Sequence, residues 1–82
     1  MSNVTFKTLD LNGVDKVKDF VAKTIDFPGD INLKIDKHVV DGKSVLGIFS
    51  LNLSKPVSME LICDEEQAIQ KFEDAISCYI VK

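Results

Sequence analysis

Ser44 is the residue whose side chain is best placed for a chemical modification. It stands immediately before a run of apolar residues with helical spacing. A serine in this position predicts an N-cap, whose side-chain oxygen accepts a hydrogen bond from the first turn of the helix. A hydroxyl there lies at the positive end of the helix dipole, where an added phosphate would meet unsatisfied backbone N–H groups. The sequence leaves two interpretations open: Ser44 is a regulatory phosphorylation site, or it is a cap that nothing phosphorylates.

The histidine and the cysteines offer less chemistry. His38 is the only histidine and falls near a predicted hairpin turn, so we interpret it as an exposed hairpin residue. Cys63 and Cys78 have no C-x-x-C pair, third cysteine or nearby histidine that would complete a zinc tetrahedron. We expect two free, buried thiols, with a disulfide as the second possibility. The sequence predicts no metal site and no cofactor.

Composition and charge bound the class of protein. The 82 residues allow one core, so we expect a single domain over residues 1–82, and the 45% hydrophobic and 28% charged fractions are typical of a globular protein. The net charge is −3 and the basic residues are lysines scattered singly, which argues against direct nucleic-acid binding. No apolar stretch approaches the roughly 20 residues that span a bilayer, and the first residues lack the basic start of a secretion signal. We therefore expect a cytoplasmic protein that does not bind membranes.

Alternation and helical spacing predict the elements that would position Ser44. Residues 3–9 alternate, with Val4 and Phe6 on one face, which is typical of a half-buried strand. An amphipathic helix is predicted over 14–24, with Asn12 available as its cap. Its core face would consist of Val17, Phe20, Val21 and Ile25.

The rest of the chain predicts a hairpin, a further strand and a final helix. Residues 31–40 are predicted to form a hairpin with a tight turn at residues 36–37, and residues 57–63 alternate as a strand. The last helix opens at Asp64, which forms a capping-box-like pair with Gln67. Its core stripe would be Ile69, Phe72, Ile76 and Tyr79. The order βαββαβα predicts an α+β fold, a four-stranded, mostly antiparallel sheet with three helices on one face.

The segment 43–53 has more apolar residues than one helical face can bury. With Ser44 as the N-cap, Ile48 and Leu51 lie on one side of the helix. The other side would carry Val45, Leu46 and Phe49, an apolar patch of the kind that marks a protein interface. The alternative is a rotated helix in which Leu46 and Phe49 belong to the core.

The same segment carries a family resemblance. Residues 43–51 have the sequence KSVLGIFSL, which resembles the motif K-S-[ILV]-[ML]-G-[LIV]-[MF]-S-L of the HPr family, the small phosphocarriers of the bacterial sugar phosphotransferase system. The resemblance extends over nearly the whole chain and includes the order of the elements and residues 27–35 and 64–69. It implies the family's open-faced β-sandwich, a four-stranded antiparallel sheet covered by three helices on one face.

The family's carrier site is not reproduced in this sequence. In the family, a G-[IL]-H-A-R-P-A segment precedes the first helix, and its histidine takes a phosphoryl group from enzyme I. Alignment from the Ser44 motif puts Gly13 at the histidine and Asp15 at the phosphate-binding arginine, whereas alignment on the glycine puts Asp15 at the histidine and Val17 at the arginine. We therefore interpret Gly13 and Asp15 as a degenerate carrier site. An aspartyl phosphate at Asp15 is the chemical alternative, although the chain has no arginine to bind the phosphate.

The resemblance thus implies regulation rather than phosphoryl transfer or enzymatic activity. Ser44 matches the serine that HPr kinase/phosphorylase modifies in some members, whose modified form binds a LacI-type regulator. A serine kept where the histidine is lost is Crh-like in pattern. We predict a protein-binding module, monomer or weak dimer, whose partner-binding residues are Lys43, Val45, Leu46 and Phe49 and whose partners include phosphotransferase-system components. The alternatives are a phosphocarrier with a non-standard acceptor and a fold adapted to an unrelated interaction.

Overall fold

The order of helices and strands agrees with the sequence prediction. A computed structural model describes the backbone of residues 3–81 and the side chains of residues 4–81. The elements are β1 (Asn3–Leu9), α1 (Val14–Thr24), β2 (Asp30–Ile35), β3 (His38–Asp41), α2 (Val45–Phe49), β4 (Val57–Cys63), α3 (Glu66–Ala75) and a short 3-10 turn (Ser77–Tyr79). The order βαββαβα is confirmed, and α2 is shorter than the predicted segment 43–53.

The four strands form one antiparallel sheet in the order β1-β4-β2-β3. The hairpin between β2 and β3 turns at residues 36–37, where Asp36 adopts a positive φ of 53°. An aspartate tolerates this left-handed conformation better than most residues do, because its short polar side chain can bond locally. The predicted antiparallel sheet and hairpin are therefore confirmed.

One hydrophobic core lies between the sheet and the three helices. Alternate residues of β2 and β4 face it, and α1 and α3 meet over it through Phe20 and Phe72, whose rings lie 5.9 Å apart in an edge arrangement. The ring of Phe27 approaches Phe72 at 5.1 Å. The sheet and helix residues fully removed from solvent include Leu9, Val17, Phe20, Leu33, Ile48, Val57, Met59, Leu61 and Ile76. The fold is the α+β open-faced sandwich that the resemblance implied.

The first strand presents two of its apolar side chains, Val4 and Phe6, to solvent. Val4 is 49% and Phe6 is 65% exposed on the face of the sheet that carries no helix, whereas Leu9 is fully buried. The pairing of Thr5 with Leu61 and of Leu9 with Val57 fixes this orientation, because both partners on β4 face the core. Alternation was therefore correct, but it could not show which face of the strand is covered.

The predicted helix caps are wrong in two places. Gly13, not Asn12, is the N-cap residue of α1, and the backbone N–H of Asn12 donates to the Asp10 carboxylate instead. The N-cap of α3 is Glu65, which makes no side-chain cap bond, so the predicted pair of Asp64 and Gln67 does not form a capping box.

Two predicted buried side chains are exposed. Ile25 is 75% exposed, and Thr24 takes the buried position at the end of α1 with its hydroxyl bonded to the Val21 carbonyl at 2.6 Å. Both cysteines are free as predicted, and Cys63 is buried, but Cys78 is exposed because it lies in the turn beyond α3.

Candidate functional site

The turn that leads into α2 is held by backbone contacts. The N–H of Gly42 donates to the Ile31 carbonyl at 2.7 Å, which pins the turn to β2. A Cβ atom at Gly42 would lie 2.3 Å from the Cγ2 atom of Ile31, so only glycine fits here without displacement. The Asp41 carboxylate accepts a hydrogen bond from the N–H of Lys43 at 2.9 Å. These contacts fix the direction in which the chain enters α2.

Ser44 is the N-cap of α2, as the sequence predicted. Its backbone is extended, with φ −104° and ψ 111°, and its Oγ accepts a hydrogen bond from the Gly47 N–H at 3.1 Å. Its carbonyl accepts the helical bond from Ile48 at 3.0 Å. The side chain is half-buried. The hydroxyl therefore lies at the start of the helix, where the backbone N–H groups of the first turn have no partner within the helix itself.

Lys43 makes a structural contact that no pattern in the sequence indicates. Its Nζ donates to the carbonyl of Phe27 at 2.9 Å and so joins the start of α2 to the segment between α1 and β2. The residue as a whole is exposed. The contact is between residues far apart in the chain, so no local pattern could have predicted it.

The α2 helix divides its apolar residues between the core and solvent. Ile48 is fully buried and Leu51, just past the helix end, is 7% exposed, whereas Leu46 is 83% and Phe49 39% exposed. Val45 is half-buried at the border of this exposed side, because it lies four residues before Phe49 but also three before the buried Ile48. We call Val45, Leu46 and Phe49 the α2 face. The structure thus has the rotation that the Ser44 cap predicted, and Leu46 and Phe49 do not belong to the core.

The two residues interpreted from the sequence as a degenerate carrier site lie at the start of α1. Gly13 has a φ of 145° and is exposed, and Asp15 is an exposed residue of the first helical turn. Nearby, the Nζ of Lys16 lies 3.4 Å from the Asp10 carboxylate. The hydrogen bond from the Asn12 backbone, together with the charge of Lys16, lowers the pKa of Asp10. The helix start therefore carries two carboxylates and one lysine that is already paired.

His38 lies away from the start of α1. It is the first residue of β3, exposed, at the edge of the sheet opposite to β1, from which the chain enters α1. As for metals, residues 3–81 contain no group of three or more histidine, cysteine or acidic side chains that could hold an ion. Within the same residues, no helix is both long and apolar enough to cross a membrane.

A comparison with protein families identifies the family of this chain. The model of the family described as "PTS HPr component phosphorylation site" matches residues 16–77, well over half of the chain. The chain belongs to the HPr family. No curated protein and no solved structure shows a significant match to it.

Membership of the HPr family connects this protein with the phosphotransferase system, whose HPr proteins are phosphocarriers rather than enzymes and act through other proteins. The matched residues of this HPr-family chain include Ser44 and the whole of α2. They begin after Gly13 and Asp15. The α2 region therefore lies inside the part of the chain that is recognisably HPr-like.

Proposed function

We propose that this protein is a regulatory, protein-binding member of the phosphotransferase system that acts in the cytoplasm and does not carry phosphoryl groups on a histidine. Its binding surface would be the α2 face, and Ser44 would be the residue through which a kinase controls it. The partners would be HPr kinase/phosphorylase and a LacI-type regulator or other components of the system. The observation that carries the proposal is the exposure of Leu46 and Phe49 on the short helix that Ser44 caps.

Apolar side chains on a short surface helix have a cost in water unless a partner covers them. Leu46 at 83% exposure lies one helical turn from Phe49, so both would enter one interface together. Phenylalanine is among the residues enriched at protein interfaces, and Leu46 would add apolar area beside Phe49. Lys43 would have only a peripheral role in this interface, because its Nζ is bonded to the Phe27 carbonyl.

Phosphorylation of Ser44 would change this surface by charge. The kinase would move the γ-phosphoryl group of ATP to the Oγ of Ser44, with release of the hydroxyl proton and formation of ADP. The product would place nearly two negative charges beside the α2 face and close to the Asp41 carboxylate, which bonds to the Lys43 N–H. The phosphate could accept from the first-turn N–H groups, including that of Gly47, which now donates to Ser44 Oγ.

The start of α1 supports the loss of carrier activity. A phosphohistidine needs an imidazole, which is absent from positions 13 and 15, and the carboxylates of Asp10 and Asp15 would repel an incoming phosphoryl group. His38 would be a poor substitute, since it lies at the opposite edge of the sheet.

Two phosphorylation reactions run in parallel test the proposal. In one, the protein is incubated with HPr kinase/phosphorylase and ATP; in the other, with enzyme I and phosphoenolpyruvate. We expect one added phosphoryl group on Ser44 in the first reaction and none in the second, measured by intact mass and peptide mapping. Ser44→Ala should abolish the gain, and its unfolding free energy should fall by only about 1 kcal/mol, the usual cost of an N-cap, so that it remains folded.

The other outcomes are informative. Transfer from phosphoenolpyruvate to Asp15, lost in Asp15→Asn, would show a carrier with a non-standard acceptor and contradict the proposal. A further outcome is that the kinase modifies the wild type but not Leu46→Glu, in which Ser44 is intact. This result would show that the kinase itself binds the α2 face. No modification in either reaction would remove the phosphorylation part and indicate an unrelated interaction role.

A further inference from the structure

Within residues 3–81, the outer edge of β1 is unpaired over its first half and apolar on its exposed face. Strand β1 lies at the edge of the sheet, bonded to β4 on one side only. Across its other side, the segment after α3 covers the second half: the Asp10 N–H donates to Tyr79, and Val81 donates to the Thr8 carbonyl, both at 2.8 Å. Among residues 3–81, nothing pairs with the edge at Val4 and Phe6.

The backbone direction of the exposed residues follows from these two bonds. Thr8 and Asp10 direct their backbone groups away from β4, and the register of β1 with β4 is uninterrupted. In an antiparallel strand alternate residues bond to the same side, so Val4 and Phe6 also direct their N–H and C=O groups outward. Each of these residues therefore combines two free backbone groups with an apolar side chain on the open face, 49% and 65% exposed. Such an edge is a template for another strand.

We propose that two copies of this protein pair antiparallel through the outer edges of β1, with Thr5 on the two-fold axis. In this register the two-fold axis creates two pairs in which Val4 of one copy lies opposite Phe6 of the other. Each pair exchanges two backbone hydrogen bonds, so four hydrogen bonds satisfy the outward backbone groups of both copies. An axis at Phe6 would require the Thr8 carbonyl, which Val81 already occupies. The C-terminal segment thus excludes registers shifted toward the end of β1. The axis at Thr5 is the register that pairs the backbone groups of both Val4 and Phe6 within residues 3–7.

The side chains at the junction are complementary on both faces of the joined sheet. On the open face, Val4 and Phe6 of the two copies would form one apolar stripe, extended at each end by the half-buried Ile62 that pairs with Val4. On the helix face, Glu66 of α3 borders a shallow groove beside Thr5. The second copy's Lys7 would lie next to that groove, so a lysine would face a glutamate at both ends of the junction. No lysine lies opposite a lysine.

This interface is separate from the α2 face, which belongs to the helical layer. The proposal therefore does not depend on the function of Ser44. A copy of the same chain is the occupant because the edge is self-complementary under a two-fold axis in hydrogen bonding, apolar contact and charge.

Sedimentation equilibrium over a range of protein concentrations, under reducing conditions, tests the dimer. We expect a monomer–dimer equilibrium that Phe6→Glu weakens by about tenfold or more, because two apolar cross-strand contacts are lost and two charges are added. The matched control is Val39→Glu, a similarly exposed position on the same face of the sheet but on β3, which should leave the dimer intact. Leu46→Glu should also leave it intact.

The register has its own test by oxidative cross-linking in a Cys78→Ser background, where the remaining Cys63 is buried. Thr5→Cys should form a disulfide-linked dimer, because residues directly opposite in a non-hydrogen-bonded pair have Cα atoms about 4.5 Å apart. Lys7→Cys should not, because the two copies of residue 7 would lie about 13 Å apart along the strands. A monomer at every concentration would overturn the proposal, as would a dimer that Phe6→Glu leaves unchanged. Cross-linking through residue 7 but not residue 5 would overturn the register.

Discussion

At the scale of single residues, the turn before α2 depends on one glycine. Gly42 donates to the Ile31 carbonyl, and its Cα faces the side chain of that isoleucine so closely that a Cβ would lie 2.3 Å from Cγ2 and 2.9 Å from Cβ. The side chain of Ile31 is buried and has little room to move. The position of Ser44, two residues later, therefore depends on the absence of a side chain at residue 42.

We expect Gly42→Ala to lower the free energy of unfolding by about 1–3 kcal/mol, the range for overpacking a tight core, as measured by urea denaturation. The matched control is Gly47→Ala in α2, where the nearest atom, Ser44 Oγ, would lie 3.2 Å away. There the gain in helix propensity, up to about 1 kcal/mol, offsets the crowding. Equal losses at the two positions would contradict this account of the turn.

At the scale of elements, α2 has a defined rotation that its five residues could not impose alone. Isolated helices of this length are not stable in water, so the contacts of Ile48 with the core must hold it. The cap at Ser44, the bond of Lys43 to the Phe27 carbonyl and the pinning of Gly42 to β2 set where it begins. The consequence is that Leu46 and Phe49 face solvent.

Substitution on the two sides of α2 tests this rotation. Ile48→Ala should lower the unfolding free energy by about 2–5 kcal/mol, because a fully buried side chain is truncated. Leu46→Ala, at a position 83% exposed in the same helix, should change it by no more than about 0.5 kcal/mol. Chemical denaturation measures both. The reverse order of effects would mean that the helix is rotated and that the α2 face is not available to partners.

At the scale of the whole molecule, Tyr79 joins the end of the chain to the first helix. Its hydroxyl donates to the Asp19 carboxylate at 2.5 Å, and Lys23 donates to the same carboxylate at 2.6 Å. Hydrogen bonds from Lys23 and Tyr79 lower the pKa of Asp19 below its ordinary value, and the bond to Asp19 raises the pKa of Tyr79 well above its own. This contact holds the segment that covers the second half of the β1 edge.

The two shifts predict that stability falls at both ends of the pH scale. Because the pKa of Asp19 is lower in the folded state, the unfolded chain takes up a proton first, and stability is lost as the pH falls below about 4. Because the pKa of Tyr79 is higher in the folded state, the unfolded chain loses its proton first, and stability falls as the pH rises above about 10. Tyr79→Phe should remove the part of the stability loss at alkaline pH that comes from Tyr79. It should also make the loss of stability at acid pH smaller.

Tyr79 is the only tyrosine, so tyrosinate absorbance follows its titration directly. In the folded protein, the Tyr79 hydroxyl should ionise at a higher pH than that of an ordinary tyrosine. Asp19→Asn removes the charge but keeps a hydrogen-bonding group, and it should lower the pH of this transition. An ordinary titration in the wild type would show that the bond to Asp19 is not formed in solution.

Much of the fold and part of the candidate site follow from local patterns. The alternation in β2 and β4, the helical spacing in α1 and the KSVLGIFSL segment predicted the element order, the Ser44 cap and the exposed side of α2. These features depend on residues a few positions apart, whose relative directions the backbone period fixes. The predicted caps of α1 and α3 were wrong because several polar residues compete for each helix start. The sequence does not show which of them the turn places within hydrogen-bonding distance of the first-turn N–H groups.

The sequence by itself determined that the chain forms an HPr-like α+β sandwich and that Ser44 begins its second helix. Only the tertiary structure decided that Val4 and Phe6 face solvent, that Lys43 is bonded to the Phe27 carbonyl and that the C-terminal segment covers half of the β1 edge. The physical reason is the same in each case. These features depend on which distant segment packs against a residue, and periodicity gives the faces of an element without saying what covers them.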